Sequence, residues 1–303
     1  MTFKTALALL AGVLALPALA QTLPTPATSD RPPSALPSLG ETATPPARPL
    51  WELGLGVGVL SLPHYKGSDQ RHTWVLPVPH IVYRGETLRV GRGGARAVLL
   101  DASRLDVDIS LAAGPPTRSR DNEARAGMPD LKPTLELGPN VNWRLRGGQG
   151  TVLDQPMNWR LDLRLPWRAA FTVGSSPRYI GWTAAPNLNL DMRTASGWHL
   201  GVLAGPTFND RRFNAYYYDV APAYATAARP SYQGEGGYAG TRALTSLSRR
   251  VDGHWMGAYV QFDSLRGARF EDSPLMRQKQ GWSFGIATSW RLVASDRLAI
   301  ERD

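Results

Sequence analysis

The sequence predicts an all-β protein: a transmembrane antiparallel β-barrel of about twelve strands, with ten also compatible, behind a Pro-rich N-terminal segment. Three observations predict it. Segments of ten or more residues alternate apolar and polar side chains, long enough at a tilt of about 45° to cross a hydrocarbon core of about 25–30 Å. Tryptophans cap the apolar faces, as side chains do at a membrane interface. Beyond the N-terminus no apolar run approaches the roughly 18 residues that a spanning helix needs.

The first element is a targeting segment. Lys4, the apolar run Ala6 to Leu16 and the small-x-small site Ala18-Leu19-Ala20 form a secretory signal peptide, residues 1–20, cleaved after Ala20. No Cys follows the site, which excludes a lipoprotein, and the chain has no Cys anywhere, which excludes disulfides and thiolate chemistry. Residues 21–49 carry eight prolines and no hydrophobic period. They read as an extended periplasmic linker, either a passive tether or a dock for the cell wall or one of its enzymes.

Residues 51–292 are the barrel and 293–303 a polar tail. The clearest strand runs from Trp159 to Trp167, where Trp159, Leu161, Leu163, Leu165 and Trp167 share one face and Arg160, Asp162 and Arg164 the other. Similar alternation predicts strands near 51–62, 74–83, 87–101, 104–113, 132–146, 158–173, 178–194, 197–209, 213–222, 237–250, 254–267 and 281–292. An even count puts both ends in the periplasm. Alternating directions from there place 63–73, 147–157, 223–236 and 268–280 outside, and 84–86, 174–177 and 251–253 as short inner turns. The same count puts the long polar connection 114–131 on the periplasmic side, which signals either a miscount or a partner site. Gly54, Gly56 and Gly58 fall on the inward face of the first strand, opposite Leu53, Leu55, Val57 and Val59.

Inward positions carry mixed charge: Asp106, Asp108, Glu136, Arg144, Arg160, Asp162, Arg164, Asp191 and Arg193. Such charges either fill the lumen through ion pairs or line a narrow polar channel. The net charge of +9 becomes +8 once Lys4 leaves. In this compartment it points to outer-membrane lipid and lipopolysaccharide rather than nucleic acid. Little argues for an enzyme. His64, His72 and His80 recur every eight residues but span a loop and a strand, which is no metal-ligand spacing. Ser68, Asp69 and His72 share a loop without a nucleophile elbow. No catalytic residue, cofactor or metal is expected. Tyr216-Tyr217-Tyr218, with Tyr224, Tyr232 and Tyr238, reads as an aromatic girdle or a surface for ligand or adhesion.

Certain blocks are more specific than alternation: Pro63-His64-Tyr65-Lys66-Gly67-Ser68-Asp69, Pro77 to Tyr83, Arg125 to Leu131 before Glu136-Leu137-Gly138-Pro139, Tyr216 to Val220, Gly236-Gly237-Tyr238, Leu247 to Arg250, and Gly267 to Leu275 with Ser273 and Pro274. In order and spacing these resemble the MipA/OmpV family of outer-membrane proteins, over essentially 51–292. A departure is the end of the chain: Trp290 is followed by thirteen more residues, where barrels commonly finish on an aromatic residue. The resemblance implies no catalytic residues. It implies a scaffold role, since the family's named member is described as linking a lytic transglycosylase to a bifunctional penicillin-binding protein, and it marks Tyr65, Gly67, Ser68, Ser273 and Pro274 as motif residues of the loops. A narrow channel or uptake protein for small polar solutes, or a surface adhesin, is the alternative.

Overall fold

The computed structural model describes residues 49–297, apart from 85–87, 92–93, 98–99 and 102–103. The expected signal peptide (1–20), the expected linker as far as residue 48, and the expected tail from residue 298 on lie outside the described residues. Fourteen strands form one antiparallel sheet: β1 (Trp51–Pro63), β2 (Arg71–Arg84), β3 (Leu88–Gly91), β4 (Gly94–Ala97), β5 (Leu100–Asp101), β6 (Leu105–Gly114), β7 (Thr134–Val152), β8 (Gln155–Thr172), β9 (Tyr179–Ala184), β10 (Asn187–Thr194), β11 (Trp198–Asn209), β12 (Gly237–Val251), β13 (His254–Ser264) and β14 (Gln280–Ala294). One helix, α1 (Arg211–Tyr218), follows β11. Among the described residues no helix is long and apolar enough to cross a membrane.

The hydrogen-bonded path runs from β4 through β3, β2, β1 and β14 and back through the strands to β6 and β5. Its two ends are β4 and β5, three residues apart in the chain, and β4 also lies against β6, so the sheet closes on itself. β9 and β10 occupy a single position in the wall, both pairing with β8 and β11. Taking β4 with β5 as another single position, the barrel has twelve strands among the described residues.

The expected count is right, but two elements within it are not. The stretch 87–101, expected as one strand, is a hairpin: Leu88 pairs with Ala97 and Gly91 with Gly94. The stretch 213–222, expected as a strand, is mostly α1, nucleated where the Asp210 side chain accepts the Phe213 N–H as an N-cap. The first error reverses strand direction, and the second restores it. Every connection between them therefore falls at the opposite end from the one expected. Residues 115–133 and 173–178 belong to the end carrying 64–70, 210–236 and 265–279, while the β7–β8 turn at 153–154 lies with the start of β1 and the end of β14. Thr117 Oγ1 donating to the His64 carbonyl at 2.7 Å fixes the first of these. All long loops thus share one end, and the short turns share the other. In bacterial barrels short turns face the periplasm and long loops the exterior, so 115–133 is an outer loop.

Alternation sorts the wall as expected. Leu53, Leu55, Val57 and Val59 of β1, Leu188 of β10 and Trp282, Phe284, Ile286, Trp290 and Leu292 of β14 are exposed outward. Glu52, Asp108, Asp162, Asn189, Asp191 and Ser289 are buried inward. The apolar belt on the described strand faces exceeds the few hundred Å² that a water-soluble monomer exposes, and its solvent is lipid. Two aromatic rows border it. Trp167 with Trp182, Phe171 with Tyr179, Phe208 with Tyr238 and Phe262 with Trp282 meet near the long loops. Trp198, beneath the Arg249 guanidinium, and Trp290, stacked on His254, stand near the short turns. The eight-residue spacing of Trp282 and Trp290 corresponds to a rise of about 20 Å once a tilt near 40° is applied, close to the apolar band of about 25 Å.

The glycines of β1 mark close approach at the seam with β14. A Cβ on Gly54 would fall into the Trp290 carbonyl, and one on Gly56 into the Thr288 carbonyl.

Candidate functional site

Two arrangements fill the inside of the barrel: a charged lumen and a cap over its outer mouth. The expected inward charges come together in the lumen along β6, β7, β8 and β10. Arg164 Nη2 lies 3.0 Å from Asp191 Oδ2 and 3.6 Å from Asp162 Oδ2, and Arg160 Nε lies 2.9 Å from Asp162. His199 Nε2 reaches the other Asp191 oxygen at 3.1 Å. Asn140 and Asn142 donate to Asp106 and Asp108 at 2.6–3.0 Å. Glu136 is matched by Arg168 at 3.1 Å, and Arg168 also donates to Ser110. Arg144 is paired across the ladder with Asp162. Of the alternatives for these charges, ion-paired filling is what the geometry presents. Each carboxylate has a cation or amide within reach, as charges held out of water require.

Sequence reasoning missed two further polar clusters in the lumen. Lys66 descends from the first loop to Asp263 at 3.0 Å, and Arg242 reaches the same oxygen at 3.4 Å. Glu52 is buried on β1, bonded to Arg250 and close to Arg291 at 3.8 Å and His80 at 3.6 Å. His80 Nδ1 lies 3.2 Å from Ser289 Oγ. This Ser-His-Glu order resembles a hydrolytic constellation, but all three side chains are at most 2% exposed, and they tie β1, β2, β12 and β14 together. Alternation alone would have placed Glu52 and His80 inward. Opposite the charged wall, Leu60, Leu62, Trp74, Leu76 and Tyr259 form a small apolar patch.

The cap is where the motif residues meet. Tyr65, Met128, Leu131, Tyr218, Val220, Ala239, Leu265, Ala268, Phe270 and Leu275 form its buried core, drawn from four outer loops and the adjoining strand ends. The Tyr65 hydroxyl donates to the Leu275 carbonyl at 2.7 Å. The Gly67 carbonyl accepts the N–H groups of Arg277 and Gln278 at 2.8 and 3.0 Å. Gly67 has φ +88°, and a Cβ there would meet Met276, so glycine is required twice over. Ser68 Oγ accepts from Asn122 at 3.1 Å. Ser273 Oγ donates to the Tyr218 carbonyl at 2.8 Å and accepts the Leu275 N–H, bracketing Pro274. Phe270 stacks on Tyr218 with centroids 3.7 Å apart. Arg125, buried beneath, donates to the Tyr217 and Pro129 carbonyls and lies 5.9 Å over the Tyr65 ring.

Burial in this cap raises the Tyr65 phenol to about 12, against weaker opposition from Arg125. It also pushes Tyr217 and Tyr218 up and draws the Lys66 ammonium down, with Arg242 reinforcing the fall and Asp263 opposing it. The reading of Tyr216–Tyr218 as a girdle is corrected: Tyr217 and Tyr218 turn into the cap on α1, and of the six tyrosines Tyr238 stands in the outer aromatic row. The Ser68, Asp69 and His72 set does not assemble. Ser68 bonds Gln70 and Asn122, Asp69 faces Arg277 at 3.7 Å, and His72 lies against Trp74. His64, 3.1 Å from Asn122, is likewise a cap residue.

A family model described as MltA-interacting protein MipA matches residues 55–292. The chain belongs to the MipA family. The match spans the barrel from within β1 to β14 and takes in every cap loop. No curated protein matches this MipA sequence significantly. Solved barrels overlay on it weakly. The Ralstonia pickettii toluene transporter TbuX is 11% identical, with 80% of this chain and 74% of that chain covered, at a TM-score of 0.27. A Pseudomonas aeruginosa FadL homologue is 7% identical, covering 81% and 91%, at 0.26. The Pseudomonas putida toluene transporter TodX is 10% identical, covering 83% and 69%, at 0.21. Overlays this weak carry no argument about what the MipA barrel binds.

Proposed function

We propose that this protein is a non-enzymatic scaffold of the outer membrane, which holds peptidoglycan-remodelling enzymes, a lytic transglycosylase and a penicillin-binding protein, at its periplasmic face. The observation that carries the reading is the family match over 55–292, whose description names an interaction with MltA. The geometry supports it in two ways. A mouth plugged by a packed cap and a lumen filled by ion pairs suit an anchor better than a conduit. On the periplasmic side, β7 and β8 run on as a ribbon past the start of β6, which pairs only as far as Leu105 with Trp143. Residues 146–152 of β7 are exposed and pair only with β8 among the described residues, leaving an open strand edge. Such an edge accepts an extended segment of a partner.

The reading is tested by photo-crosslinking in cells from Gln149 on the ribbon and from position 252 in the β12–β13 turn. Capture of a lytic transglycosylase or a penicillin-binding protein from Gln149 is expected. Capture should persist when 115–133 is exchanged for a Gly/Ser linker, because that loop lies at the other end. Recovery of assembly factors and abundant lipoproteins alone sinks the scaffold. The alternative, a narrow channel for small polar solutes, draws on the charged lumen. Single-channel recording of wild type and of the Arg160→Glu/Arg164→Glu variant removes it if neither conducts.

A further inference from the structure

The outer rim carries cations that neither the cap nor the lumen uses. On α1, Arg212 and Tyr216 lie one turn apart and share a face. Arg212 sits 5.4 Å over the Tyr179 ring, at the start of β9. The Tyr216 hydroxyl accepts the Lys132 N–H at 2.8 Å and donates to the Lys132 carbonyl at 3.2 Å, which brings Lys132 to the same place. Arg178 precedes Tyr179 in the chain and is close enough to Tyr216 to act on its hydroxyl. Lys132, Arg178 and Arg212 are all exposed, and among the described residues none of the three makes an ion pair. The lumen arginines Arg160, Arg164 and Arg168, by contrast, are each matched by a carboxylate.

A shallow, largely open depression of about 670 Å³ lies here, lined by Tyr179, Asp210, Arg211, Arg212 and Ala215. Its one carboxylate is already committed: Asp210 Oδ1 accepts from Phe213 and Trp182. Arg211 faces Asp219 at 3.5 Å and Gln233. Gly181 (φ +121°) permits the arrangement, since a Cβ there would strike Asp210 and the Phe213 backbone and push α1 off the wall.

Height selects the ligand. Tyr179 meets Phe171 in the outer aromatic row, beside Trp167 and Trp182, and aromatic rows mark the headgroup level of a bilayer. Cations immediately above that row face the outer leaflet. We infer that Lys132, Arg178 and Arg212 form a binding site for the phosphorylated headgroup of lipopolysaccharide, with the depression beside α1 receiving the sugar-phosphate. Arg212 supplies a planar donor fork to the phosphate, Lys132 and Arg178 add charge around Tyr216, and Tyr179 offers an aromatic face to the sugar.

The test uses the full protein in detergent micelles and native mass spectrometry against lipid A carrying both phosphates, enzymatically dephosphorylated lipid A, and inorganic phosphate as competitor. At about 1 kcal/mol per cation near an anionic surface, Lys132→Gln/Arg178→Gln/Arg212→Gln should weaken binding of phosphorylated lipid A on the order of 100-fold. Arg120→Gln, in the 115–133 loop, should leave it unchanged. Retention of the heat-modifiable gel shift shows that the variant barrel is folded. Equal binding by wild type and triple variant, or equal binding of dephosphorylated lipid A, overturns the site. Displacement by millimolar inorganic phosphate alone overturns the lipid as its source.

Discussion

Replacing Phe270 by alanine should open the cap and leave the barrel standing. Phe270 is 1% exposed, at the centre of the cap and stacked on Tyr218 with an interplanar angle of 6°. Truncating a buried Phe to Ala costs about 3–5 kcal/mol, which includes about 0.5–1.5 kcal/mol from the aromatic pair. No ladder hydrogen bond of the wall passes through this residue. The loss therefore falls on the local equilibrium between closed and open cap. At about 1.4 kcal/mol per tenfold change, the open population rises roughly 100- to 5,000-fold. The assay is trypsin cleavage at the Arg125-Ala126 bond, since the Arg125 guanidinium is buried in the cap, held by the Tyr217 and Pro129 carbonyls at 3.0 and 3.2 Å, and withheld from protease while the cap is shut. Cleavage tracks the open population when reclosing outpaces cutting, so its rate should rise by the same factor. The difference in gel migration between boiled and unboiled samples should persist. Cleavage at the wild-type rate would refute the cap as a separable unit, and so would loss of the folded band together with the cap.

Alkali should open the same cap. Tyr65 has a folded pKa of about 12 against 10.0 when exposed, so its protonated form is favoured in the folded state. The stability this confers, about 3 kcal/mol, is fully present below pH 10 and lost as pH climbs through 12; cap opening, followed by near-ultraviolet circular dichroism together with tyrosinate absorbance, should rise in that window, and Tyr65→Phe should flatten the dependence on this residue. Gly67→Ala forces a side chain into φ +88° and against Met276, and should raise Arg125 cleavage by an amount equivalent to about 1–3 kcal/mol. Arg164→Ala removes the partner shared by Asp162 and Asp191; Arg160 and His199 remain, so the barrel's urea stability should fall by about 3 kcal/mol, with no change in cap proteolysis.

The wall of this barrel was legible because period-two alternation is local: each of Trp159 to Trp167 can be assigned a face without knowing its neighbours. Topology depends on punctuation, and there the reading slipped twice. Gly91-Arg92-Gly93-Gly94 is a hairpin signal inside an alternating stretch, and passing over it merged β3 with the strand after it. Tyr216-Tyr217-Tyr218 has strand propensity, but Asp210, three residues before the start of the expected strand 213–222, caps the chain into a helix. These two errors cancelled in the count and inverted the sidedness of everything between them, 115–133 included. The lumen charges were legible as a set because each inward position is fixed by parity, but their pairing was not, since Arg164 meets Asp191 only through the register of β8 against β10. Nothing local could have brought Tyr65 to Leu275 across 210 residues of sequence; only the resemblance to a family marked those loops as belonging together.

The contact between Tyr65 and Leu275 also bears on how the molecule is made and lost. Strand β1 can pair with β14 only after the whole chain has been delivered, so this junction closes last and carries the longest sequence separation in the wall. The first and last loops flank that junction, and the Gly67 carbonyl with the Tyr65 hydroxyl clasps them together directly above it. Sideways unzipping from the outer rim must break the clasp before it frees any rung of the ladder. The cap thereby sets a rate: it lengthens the lifetime of the closed barrel in a membrane where, once it has opened, no energy source on the outer side is at hand to close it again.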